Sequence, residues 1–141
     1  MSDFSRAIPA MTATVSEWLN ANDLRPVGEP FLRYHVIKMP DRMDVELGIP
    51  CDDVPETSDQ VTNSVLPAGR YAVLKYQGIK NGVSANKELI EWIAQQNEHI
   101  ASQRTEHGDA FDGRYETFLT DETTDPDQDN WETEVAIKLR D

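Results

Sequence analysis

The chain has 141 residues, with 26 Asp and Glu against 13 Lys and Arg and a net charge of −13. That length suits a single domain over 1–141, and the absence of a basic cluster argues against direct nucleic-acid binding, which needs Lys and Arg to neutralise phosphates. No apolar run approaches the roughly 20 residues of a membrane span, and the N-terminus lacks the basic-then-apolar pattern of a secretory signal. Cys51 is the lone cysteine, so neither an internal disulfide nor a Cys-rich zinc site is expected, which fits a cytoplasmic setting.

Ile8, Met11, Val15, Trp18 and Leu19 recur at helical spacing and predict a helix over about 5–21, with Pro9 near its start and Asn22-Asp23 at its end. Phe31 to Met39 is rich in aromatic and β-branched residues and reads as a strand. Pro40-Asp41 turns into Met43–Ile49, where Met43, Val45, Leu47 and Ile49 alternate with Asp44 and Glu46, as in a half-buried strand. An acidic loop is expected over Cys51–Gln60. Strands are expected over Val61–Leu66 and Arg70–Gln77, separated by Pro67-Ala68-Gly69.

A second helix opens near Ser84, a candidate N-cap, and continues through Leu89-Ile90-Glu91-Trp92-Ile93 to about His99. The polar run from Gln103 to Asp112 reads as a loop and Arg114–Thr120 as a strand. After an acidic loop over Asp121–Asn130, the last strand covers Trp131–Leu139. Short links between neighbouring strands imply antiparallel pairing, because parallel pairs need long crossovers. The fold class is therefore α+β. Each half holds a helix followed by two strands, an internal duplication in which Leu19 and Ile93 are equivalent.

Glu116 is the sharpest candidate functional residue: an acid within the aromatic stretch Arg114-Tyr115-Glu116-Thr117-Phe118, on the same face as Phe118. An uncompensated carboxylate in an apolar cleft is costly, and a flat cationic ligand would supply the missing charge; the alternative is a solvated carboxylate. Trp92 from the second helix and Trp18 from the first could line the cleft, the alternative being core aromatics. Tyr34, Tyr71 and Tyr76 offer further walls and hydroxyls, and alternation places Tyr71 and Tyr76 on opposite faces. His35, His99 and His107 lack metal-ligand spacing. Asp125, Asp127 and Asp129 imitate the start of a calcium loop, but Asn130 and Ala136 stand where it needs Gly and Glu. No nucleophile elbow or phosphate loop is present, so neither a cofactor nor a metal is expected.

From Leu66-Pro67-Ala68-Gly69-Arg70-Tyr71-Ala72 and Tyr76-Gln77-Gly78 onward, the sequence resembles the GyrI-like small-molecule-binding domain. The same domain is the effector-binding part of AraC-type and MerR-type multidrug-responsive regulators. Leu89-Ile90-Glu91-Trp92, Arg114–Phe118 and Thr133–Ile137 match further motifs in order. In the first half, Leu24–Phe31 and Val45–Pro50 also fit.

The resemblance implies duplicated strand–helix–strand–strand units, forming an antiparallel sheet with two helices on one face and a ligand cleft between them. It makes Glu116 the pocket carboxylate and this chain a stand-alone form. Two departures stand out. The leading strand of the first repeat is missing, which leaves an edge that a second copy of the chain would cover as a homodimer. The Gly-x-Tyr tyrosine is also absent, because Gly78 is followed by Ile79 and Lys80.

The function so implied is non-enzymatic binding of lipophilic, cationic, drug-like molecules through Glu116, Trp92, Phe118, Tyr76, Trp18, Tyr34 and Tyr71. The alternatives are a hydrolase of the same fold that uses Glu116 to activate water, or a gyrase-inhibitor-like protein-interaction module.

Overall fold

A computed structural model describes residues 2–38, 42–52, 61–120 and 125–141. Helix α1 spans Ser2–Ala21, followed by strands β1 (Phe31–Lys38) and β2 (Arg42–Gly48). Strand β3 (Tyr71–Gln77) leads through a 3-10 turn at Ile79–Asn81 into α2 (Gly82–Gln95). Strands β4 (Ser102–Thr105), β5 (Gly108–Phe111), β6 (Arg114–Phe118) and β7 (Glu132–Lys138) complete the chain. The expected turn at Pro40-Asp41 and most of the two acidic loops, 53–60 and 121–124, lie outside the described residues.

The described strands form one seven-stranded antiparallel sheet. Its centre is the β1–β6 pair, with Leu32 opposite Glu116. Strand β2 flanks β1 and β7 flanks β6, while β3 lies beyond β7. Strands β5 and β4 extend the β6 and β7 side toward the far end of β1. Among the described residues no strand precedes α1 and none pairs with the outer edge of β2, whereas β3 covers the matching edge of β7. The described sheet is thus asymmetric about its central pair.

The two helices pack at opposite margins, α1 on β2 and α2 on β3. They also end in the same way. Asp23 and Asn97 adopt left-handed φ values of 56° and 58°. Beyond them the Leu24 N–H donates to the Leu19 carbonyl at 2.9 Å and the Glu98 N–H to the Ile93 carbonyl at 3.1 Å. This is the terminus in which a left-handed residue lets the chain reverse and satisfy an orphan carbonyl. Leu19 and Ile93, equivalent by duplication, occupy the same position in both motifs and are both buried.

Three expectations need correction. The run from Gln103 to Asp112 is not a loop but the β4–β5 hairpin. Its outer strand is mostly exposed, so no apolar alternation marks it; Arg104 instead pairs with Asp109 across the ladder at 3.6 Å. Gly108 takes φ 122°, and a Cβ there would lie 2.6 Å from the Ile37 carbonyl oxygen, so the tight connection requires glycine. Val61–Leu66, expected as a strand, is irregular: Val61 is buried but Val65 is exposed. The second helix stops at Gln95 rather than near His99 because Asn97 turns the chain.

The core lies between α2 and the β3–β7 side of the sheet, built from Ala72, Leu89, Ile93, Val135, Ile137 and Leu139. Truncating a fully buried aliphatic side chain removes contacts and leaves a cavity. Ile93→Ala is therefore expected to lower unfolding free energy by about 2–5 kcal/mol. Ile90→Ala, on the exposed side of the same helix, should cost well under about 1 kcal/mol. Urea denaturation of both variants checks this.

Candidate functional site

Strand register sets the surroundings of Glu116. Leu47, Leu32, Glu116, Val135 and Leu74 lie opposite one another across β2, β1, β6, β7 and β3. A single carboxylate therefore interrupts a row of aliphatic side chains, and its immediate neighbours Leu32 and Val135 are both 0% exposed. Adjacent rows on this face contain Phe118, Thr133 and Tyr76 on one side and Arg114, Ile137 and Ala72 on the other. This is the face that α2 covers with Leu89 and Ile93.

Carboxylates in such places must be hydrogen-bonded, and Glu116 is. The Tyr34 hydroxyl donates to Oε2 at 3.2 Å, and the Asn86 side-chain amide donates to Oε1 at 2.9 Å. Asn86 reaches down from α2 and also donates to the Gly82 carbonyl at 2.8 Å. Its own oxygen accepts from Arg114 Nη2 at 2.9 Å. One amide thus bridges an anion and a cation. The Arg114 guanidinium lies 4.8 Å from the centre of the Phe111 ring and 5.9 Å from that of Tyr34, within cation–π range. Its Nε–H is buried and has no hydrogen-bond partner among the described residues. The same holds for Arg33 Nε, but Arg33 points to the other face, where its terminal nitrogens donate to the carbonyls of Val65 and Asp112.

The site's electrostatics follow from burial around one negative charge. Burial, and then the charge and hydrogen bond of Glu116, push the Tyr34 phenol well above its ordinary range, so it stays a neutral donor. Tyr76 is pushed up to about 12 by burial and by Glu116, with a hydrogen bond to Thr133 acting in the opposite direction. Burial holds the Arg114 guanidinium below its usual value, opposed by Tyr34, Glu116 and Asp109.

Of the residues singled out in the sequence, Glu116, Tyr34, Tyr76 and Phe118 share this face. Tyr71 lies on the opposite face, stacked edge-on against Tyr115 at 5.8 Å, with its hydroxyl donating to the Pro67 carbonyl at 2.6 Å. Trp92 is 48% exposed, on the solvent side of α2. Trp18 lines a separate cavity of about 890 Å³ between α1, the end of β2 and residues 61–66, together with Met11, Val15, Phe31 and Glu46. The carboxylates of Asp125 and Asp127 accept N–H bonds from Asp127 and Asp129, capping turns in their own loop.

Sequence reasoning missed Arg114 and Asn86, although signals existed for both. Arg114 is two residues from Glu116 and so shares its face. Asn86 falls three before Leu89 on the buried stripe of α2.

No family model matches the chain, and no curated protein matches it. Solved structures do. The crystal structure of the EcmrR C-terminal domain aligns with a TM-score of 0.74 and 19% identity, covering 99% of this chain and 84% of that one. The EcmrR chain in a cryo-EM complex with DNA aligns with a TM-score of 0.76 and 19% identity, covering 97% of this chain. This chain spans 49% of that EcmrR chain's length. The fold is that of the EcmrR C-terminal domain, in agreement with the resemblance read from the sequence.

Because the folded state holds the Tyr76 proton more tightly than the unfolded chain does, stability present below pH 10 is lost as pH rises toward about 12. Thermal melts across that interval should fall more steeply for the wild type than for Tyr76→Phe, which cannot titrate.

Proposed function

We propose that this chain is a non-enzymatic module that binds an apolar small molecule on the α2-covered face of the sheet, with Glu116 as the group that orients it. The observation that carries this reading is the charge-bearing row itself: a half-buried acid between the fully buried Leu32 and Val135, walled by Tyr34, Tyr76, Phe111 and Phe118. Half-burying an ionic cluster in this way adds little to stability alone, since well-packed apolar residues often do as well or better. Specificity for a ligand is a reason to keep it, in line with the design of small-molecule sites, which are mostly apolar with a few placed polar groups.

A lipophilic cation is the expected occupant. Its charge would replace the Tyr34 or Asn86 donor at the carboxylate, and its flat body would gain from the aromatic walls. Binding is favoured over hydrolysis because both carboxylate oxygens of Glu116 are already engaged, by Tyr34 and by Asn86, and neither is left open to hold a water for attack. The negative surface favours a cationic approach and disfavours nucleic acid. No helix among the described residues is long and apolar enough to cross a membrane.

Glu116→Gln keeps the shape and removes the charge. Calorimetry with a lipophilic cation should show affinity reduced by about 1.5–3 kcal/mol, the worth of a hydrogen bond to a charged group. A neutral ligand of the same shape should be little affected. Equal cation affinity in both proteins would refute the role of Glu116.

A further inference from the structure

The Glu116 site carries a second, opposite charge that its carboxylate does not contact through an ion pair within 4 Å. Arg114 and Glu116 are two residues apart on one strand face, and Asn86 spans the gap with one amide, 2.9 Å from each. Arg114 uses Nη2 for that bridge and lies over the Phe111 ring, while its Nε–H is buried without an acceptor among the described residues. A buried donor without an acceptor costs free energy that a ligand can recover. A simple monocation cannot do so. It would satisfy Glu116 while placing its charge beside a guanidinium from which water is largely excluded, where like charges interact strongly.

We propose that the site selects amphoteric ligands, in which a basic amine faces Glu116 and an adjacent carboxylate or carbonyl oxygen faces Arg114, attached to a flat apolar body. Arg114 is then the specificity-determining residue, and Asn86 is the spacer that holds the two charges at the separation such a ligand bridges. The inference rests on the Glu116 binding reading and narrows its ligand class from lipophilic cations to dipolar molecules.

Two dyes differ in the required respect alone. Nε-dansyl-lysine carries an ammonium and a carboxylate on one carbon, whereas dansylcadaverine has the same naphthalene body and chain with the ammonium only. Both brighten on leaving water, so the full chain can be titrated with each. The wild type should bind dansyl-lysine at least about tenfold tighter than dansylcadaverine, a difference of about 1.4 kcal/mol. Arg114→Met should abolish or reverse that preference. Arg114→Lys, which retains the charge, should preserve its direction and shows that the effect is not loss of fold.

A wild-type preference for dansylcadaverine, or a dye ratio unchanged by Arg114→Met, would overturn the inference. If Glu116→Gln still weakens both dyes in that case, the binding site stands and only the ligand class is wrong. If Glu116→Gln alters neither dye, or neither dye binds the wild type, the site reading falls and the inference with it.

Discussion

One side-chain amide ties the two layers of this protein together. Asn86 stands on the buried side of α2 and hydrogen-bonds both ends of a charge pair in the middle of the sheet. Without it, Glu116 would keep only the Tyr34 donor and Arg114 would lose the acceptor of its terminal nitrogen, each in surroundings where a missing partner is costly. The helix must therefore sit at one height and one rotation above β6 and β7. The apolar contacts of Leu89 and Ile93 supply adhesion, but they tolerate sliding in a way that a three-member polar network does not.

The sheet places that network at its own centre of pseudo-symmetry. The β1–β6 pair is the seam between two similar halves, and Glu116 lies on it opposite Leu32. Its row continues through Val135 and Leu74 on one side and through Leu47 on the other. Polar side chains belong at sheet edges or outer faces; here the acid occupies the position where a hydrophobic residue would otherwise complete the core. Locally the sequence breaks its own pattern of aliphatic residues in this row. The matching left-handed ends of α1 and α2 show that the halves share detail as well as element order.

Much of this was legible in the sequence, for identifiable reasons. Met43 to Ile49 and Trp131 to Leu139 alternate cleanly, so β2 and β7 were readable to within a residue or two. The α1 and α2 stripes carry Leu19 and Ile93 at the spacing that buries them. The β4–β5 hairpin was hidden because its outward residues are charged, and its pairing depends on Gly108 and the ladder rather than on burial. Val61–Leu66 misled in the other direction, with strand-like composition and no partner strand. Alternation put Phe118 on the face of Glu116 and Tyr76 on the face opposite Tyr71, without saying which of the two tyrosines shares the face of Glu116. Trp92 could not be placed from sequence: an aromatic at the boundary of a helical stripe packs or faces water according to tertiary neighbours, and here it faces water. Trp18 belongs to the α1 cavity because the first helix sits over β2, a relation that no local pattern encodes.

The cavity beside Trp18 is a second candidate place for a small molecule, apart from the Glu116 network. Their separation makes the central claim directly measurable. A crystal structure of the chain with dansyl-lysine would show where the ligand sits. Occupancy of the α2-covered face is expected, with the amine within hydrogen-bond distance of Glu116 and either Tyr34 or Asn86 displaced from the carboxylate. A ligand seated only against Trp18, with Glu116 still bonded to Tyr34 and Asn86, would contradict it.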